Sequence, residues 1–103
     1  MLKKTLKGYS TEVAEKYLPT GKAMLVGMHP VVQYLYKEGK RTDEIQGYQV
    51  WFAIEDENPF KIKFIQKPDL SKFELGDIVE LQNLEAIEIR DNVYFRASSM
   101  KKV

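Results

Sequence analysis

The feature that most constrains this chain is the two-residue alternation on both sides of the break Asp56-Glu57-Asn58-Pro59, within the stretch from Gly47 to Lys67. Both flanks are rich in aromatic and β-branched residues and the break is made of turn formers, so the stretch is expected to be a β-hairpin. Strand side chains alternate between two faces. Tyr48, Val50, Phe52 and Ile54 therefore separate from Gln49, Trp51, Ala53 and Glu55. In the second strand, Phe60, Ile62 and Phe64 separate from Lys61, Lys63 and Ile65. One face is a core. The other sets the only Trp of the chain beside two lysines.

A chain of 103 residues supports one such core and not two. Apolar content of 44% fits a folded globular domain. With no cysteine, disulfides, thiolate chemistry and the common zinc sites are excluded. No apolar run approaches the roughly 20 residues of a membrane helix. The stretch Met1–Ser10 is basic without an apolar segment behind it, which does not fit a signal peptide. The expectation is a soluble cytoplasmic protein.

Charge is unevenly spread despite a net value of +1: residues 1–41 hold eight Lys or Arg against three acids, and residues 69–91 hold seven acids against two bases. Such polarity suits a protein with one face toward an anion and another kept soluble or turned to a partner.

Residues 1–21 read as an N-terminal arm with a short helix, capped by Ser10 or Thr11, with Val13 and Tyr17 on one side and Pro19 and Gly21 ending it. Residues 22–103 read as a β-barrel domain. Lys22–Lys37 is too long for one flat strand, and Gly27 and Pro30 inside it point to a bulge or bend. Glu38–Glu44 reads as a polar loop with a basic pair at its tip. After the hairpin and a connector near Lys67–Glu74, a strand is expected over Ile78–Leu81 and another over Leu84–Ile89, with a bulge near Ala86 where the period slips. Arg90-Asp91-Asn92 is a tight turn, Val93–Ala97 the last strand and Ser98–Val103 a basic tail. The fold class is mainly β, a small five-stranded barrel of OB type, with an SH3-like barrel as the alternative.

Catalytic chemistry finds little support, and neither a cofactor nor a metal is called for. His29, the only histidine, precedes a proline in the bend with no nucleophile near it in sequence. Glu55-Asp56-Glu57 reads as a solvated turn rather than a cation site. Gly-rich phosphate loops, HExxH and hydrolase motifs are missing. The chain is not expected to be an enzyme.

Single-stranded nucleic acid is the better match, since its binding needs aromatic platforms for bases and cations for phosphates on one sheet face. Trp51 is expected to share a face with Gln49, Lys61 and Lys63; Tyr34, Tyr36, Lys37, Lys40 and Arg41 extend it from the preceding strand and loop.

Phe73-Glu74-Leu75-Gly76-Asp77-Ile78-Val79-Glu80-Leu81, followed by Val93-Tyr94-Phe95-Arg96-Ala97, resembles the fourth and fifth strands of OB-fold domains. From about Gly47 onward the chain is similar to small OB-like proteins of Gram-positive plasmids and integrative conjugative elements. The resemblance implies an accessory role in DNA replication or conjugative transfer. This sequence departs from the pattern in its N-terminal arm and has no acidic disordered tail. The alternative is a protein–protein interaction barrel or oligomeric accessory subunit, pairing through an edge strand or its acidic half. A small regulator that binds an enzyme is a third option.

Overall fold

The computed structural model describes residues 8–103, so the first seven residues of the expected arm fall outside the described residues. The described residues are mainly β, with one α-helix, α1 (Thr11–Tyr17), a 3-10 turn at Leu70–Lys72, and eight strands: β1 (Lys22–Leu25), β2 (Val31–Lys37), β3 (Lys40–Ala53), β4 (Phe60–Phe64), β5 (Ile78–Gln82), β6 (Glu85–Ile89), β7 (Asn92–Ala97) and β8 (Ser99–Lys102). The hydrogen-bonded order is β6-β7-β4-β3-β1-β5-β8, with β2 also pairing with β3. The two ends of this path, β6 and β8, do not pair with each other.

The count of eight exceeds the expected five because Lys22–Lys37 divides into two strands, the stretches 78–81 and 84–89 stay separate, and the basic tail is itself a strand. Lys22–Lys37 is interrupted at Val26–Pro30, and both of its pieces, β1 and β2, pair antiparallel with β3. Gln82 faces Ser99 and Glu85 faces Arg96, three residues on along each strand, so the β5–β8 and β6–β7 pairings keep a single register. These four strands are two arms of one bent hairpin turned at Arg90–Asp91. The left-handed residue of that turn is Arg90, at φ 59°, rather than Asp91 or Asn92.

Three further expectations are corrected. Glu38–Glu44 is not a loop: Glu38 and Gly39, at φ 53° and 79°, make a two-residue turn and β3 begins at Lys40. Two successive left-handed residues match the twist of the flanking strands, which is why so short a turn suffices. The basic tail is a strand, β8, whose Lys101 and Lys102 pair with Glu80 at 3.9 Å and Asp77 at 3.3 Å. No bulge interrupts β6, which pairs with β7 residue by residue from Glu85 to Ile89. The slipped period there has another cause: Ala86 and Glu88 share the side that α1 covers, and Glu88 accepts hydrogen bonds from Lys16 and Tyr17.

The core lies between α1 and the inward side of the strands, with Leu25, Val50, Phe52, Ile62, Phe64 and Val79 wholly enclosed. Ser10 caps α1 by accepting from the Val13 N–H at 3.1 Å, satisfying one of the free donors of the first turn. Val13 and Tyr17 do share a side of α1, but the stripe sunk into the core is Ala14 and Leu18. Ser10 also exchanges two backbone hydrogen bonds with Ala86, at 2.8 and 3.0 Å, which ties the helix entry to β6.

Candidate nucleic-acid interface

The alternation read in the hairpin holds. Val50, Phe52, Ile62 and Phe64 are buried, while Trp51, Lys61 and Ile65 are exposed on the opposite face. Trp51 faces Lys61 across β3 and β4, and Gln49 faces Lys63. The Trp51 ring is 37% exposed, with the Lys61 ammonium 5.4 Å from its centre. A cation over an indole face at an exposed site is worth roughly 0.5–1 kcal/mol, enough to bias the ring's orientation and small enough to be displaced. Beneath it, Gly27 leaves the space the ring needs: a Cβ there would stand 3.0 Å from Trp51 Cβ. The Val26 N–H also bonds the Trp51 carbonyl at 3.1 Å, holding the bend against this strand.

Gly47 makes a second such allowance. A Cβ at that position would lie 2.8 Å from Lys63 Cε and 3.0 Å from the Phe64 carbonyl oxygen, so the Lys63 stem rests where a side chain would otherwise be. Lys63 is consequently partly buried, and that burial, followed by the nearby Arg96 charge, lowers its pKa from the ordinary lysine value.

Three residues that sequence reasoning missed join this face. β7 pairs parallel with β4, placing Arg96 beside Lys63. Tyr94, next to the Phe95 that faces Ile62, continues that register toward Lys61 and is 46% exposed. The Arg96 guanidinium stacks 4.1 Å from the centre of the Tyr9 ring, and its Nε donates to Glu85 at 2.7 Å. Burial raises the Tyr9 pKa, the Arg96 charge lowers it and Tyr94 adds a smaller rise. The alternation of Tyr94 and Arg96 with buried Phe95 and Ala97 was visible in the sequence. What was not visible is that a strand so far along the chain packs parallel to β4.

The remaining expected residues sit further out along β2 and β3. Arg41 stacks over the Tyr34 ring at 4.5 Å, and Tyr36 is 63% exposed. Lys37 and Lys40 face each other at the Glu38–Gly39 turn. At a strand rise of about 3.3 Å per residue, Ile45, which faces Tyr34, lies roughly 20 Å from Trp51 along β3, and Lys40 roughly 36 Å. Gln49 links the two groups, since it pairs with Lys63 and also lines the hollow that holds Tyr34 and Arg41. The structure thus divides the expected residues into a sheet-face set and a ribbon set.

No family model, curated protein or solved structure matches this chain. The role of the face is therefore drawn from its own side chains. Every ion pair among the described residues takes its acid from the stretch 77–88: Asp77, Glu80, Glu85 and Glu88 bind Lys102, Lys101, Arg96 and Lys16. Four of the seven acids of residues 69–91 thus have a basic partner within the molecule. Lys37, Lys40, Arg41, Lys61 and Lys63 take part in none of these pairs. His29 is exposed in the Val26–Pro30 bend, and Glu55, Asp56 and Glu57 are exposed in the β3–β4 turn. Among the described residues no helix is long and apolar enough to cross a membrane.

Proposed function

We propose that this chain binds single-stranded nucleic acid, DNA in the first instance, across the outer face of β3, β4 and β7. The observation that carries the proposal is the exposed Trp51 ring in register with Lys61 and next to Lys63, with Tyr94 and Arg96 continuing the same surface. Aromatic faces stack bases at roughly 1–3 kcal/mol each, with little regard to sequence. The ammonium and guanidinium groups attract phosphates and release counterions.

The connectivity supports reading the fold as an OB-type barrel. Taken as bent continuous strands, β1 with β2, β5 with β6 and β7 with β8 reduce the eight segments to five. Their pairings then run 1-2-3-5-4-1, with strands three and five parallel. A meander of SH3 type has no place for that parallel pair, which needs a crossover. OB-type barrels hold oligonucleotides on the face of strands two and three and in the loops joining one to two and four to five. In this chain those places are the Trp51 face, the Glu38–Gly39 turn and the Arg90–Asp91 turn. A role in replication or transfer of a mobile element follows only from the resemblance in sequence.

The test is a salt series of binding to single- and double-stranded oligonucleotides, with the wild type and with Lys61→Glu/Lys63→Glu. Tighter single-stranded binding that weakens with salt is expected. In the double variant the log–log salt slope should shrink by about 1 to 1.5, at roughly 0.7 for each phosphate no longer neutralised. Equal slopes for the two proteins would show that these lysines touch no phosphate. A protein-interaction role predicts a concentration-dependent mass change indifferent to DNA.

A further inference from the structure

The ribbon hollow differs from the sheet face in its chemistry. It has a volume of about 530 Å³, and Gln33, Tyr34, Tyr36, Arg41, Gln46 and Gln49 contribute to its walls. That is room for a nucleobase, walled by three carboxamides, two phenol rings and a guanidinium. Two breaks in the β2–β3 register, at Gln33/Tyr34 and Tyr34/Tyr36, open it. Such bulges re-aim the side chains around them. The Thr42 hydroxyl donates to the Leu35 carbonyl at 2.7 Å and accepts from the Glu44 N–H at 3.1 Å, which fixes the irregular backbone.

Within it two groups are left without partners of their own. Gln33 Oε1 is buried and accepts no hydrogen bond. An unpaired buried acceptor is costly, so a donor that reaches it is favoured. Gln33 lines the hollow, its terminal amide torsion is broad, and a half-turn about it exchanges the oxygen with the amide nitrogen. Arg41 forms none of the ion pairs among the described residues, yet its plane is held on Tyr34 at 4.5 Å. Its N–H edge is therefore oriented and available.

On the reading that the chain binds single strands, we infer that this hollow holds one unpaired guanine and gives an otherwise sequence-tolerant surface a base preference. Guanine alone among the DNA bases places two acceptors, O6 and N7, side by side for a bidentate arginine. Its Watson–Crick edge also carries the N1 and N2 donors that an amide oxygen accepts, and single strands leave that edge open. Arg41 takes O6 and N7, Gln33 takes the N–H edge, and Tyr34 or Tyr36 supplies the stacking face.

The experiment is competition binding with oligo-dT tracts in which a single guanine is moved through the tract, then replaced by inosine, adenine or cytosine. One guanine placement should tighten binding roughly tenfold or more, as bidentate base contacts do. Inosine, lacking the N2 amine, should recover only part of the gain. In Gln33→Leu and in Arg41→Lys the ratio of guanine to thymine affinity should fall toward one. A separate readout on the folded protein is ¹⁵N NMR: dGMP, unlike dTMP, should shift the Gln33 amide and Arg41 Nε signals. Normal binding of oligo-dT with equal affinity for every base at every placement would overturn the guanine site and leave the sheet-face proposal standing. Failure to bind any oligonucleotide would remove both.

Discussion

β3 is one strand in two environments, and the contrast between its halves organises the molecule. From Tyr48 to Phe52 it pairs with β4 on one side, while on the other β2 borders it up to Gln49 and β1 faces Phe52 and Ala53, and Val50 and Phe52 are completely enclosed. From Lys40 to Gln46 its only strand partner among the described residues is β2, and every residue but Thr42 is exposed. The backbone bonding is of the same kind in both halves. What differs is burial, and isolated two-stranded ribbons are marginal without it. The inner half is a platform that keeps Trp51 in place; the outer half is a two-stranded ribbon whose β3 residues are almost all exposed.

The sharpest break of this comparison is in stability. Phe52→Ala should cost about 3–5 kcal/mol by denaturant titration, because it empties a fully packed site. Tyr36→Ala, in the ribbon, should stay within roughly 0.5 kcal/mol. Comparable losses would mean that the ribbon is part of the cooperative core. Next in size, Trp51→Ala should cost about 1–2 kcal/mol of stability, since much of the side chain is covered, and weaken oligo-dT binding by roughly 1–3 kcal/mol, the worth of one stacked base. A large loss of stability with intact binding would make the ring a structural plug.

Gly47→Ala probes the junction between the halves. The new methyl group would press on Lys63 Cε and the Phe64 carbonyl, so a loss of binding out of proportion to the loss of stability is expected. The smallest effect concerns pH. Lys63 has a lowered pKa in the folded protein, so as pH rises toward the ordinary lysine value it gives up its proton early and phosphate binding should weaken there. Lys63→Arg keeps its charge at such pH and should remove that step from the binding profile.

Much of the inner half was legible in the sequence, because a period of two with one polar face fixes which side each residue takes. That is why Trp51, Gln49, Lys61 and Lys63 fell together as read. The outer half was not legible as strand, since Lys40-Arg41-Thr42-Asp43-Glu44 shows no apolar alternation: this ribbon has no core face to alternate against. The bend in Lys22–Lys37 was marked by Gly27 and Pro30, and the break at Asn83 was read between two expected strands. What escaped was that the chain continues as strand beyond Ser98, since the polar, basic run 98–102 shows no apolar alternation. Tyr94 and Arg96 escaped notice for a different reason, as their side of the strand was readable but their neighbour across the β4–β7 junction was not.

The most direct measurement is the intrinsic fluorescence of the single tryptophan during titration with oligo-dT at low and then rising salt. Stacking on Trp51 predicts quenching that saturates at low salt and is reversed as salt is added. Unchanged emission at low salt with both oligo-dT and oligo-rU would contradict the claim that this face receives a single strand.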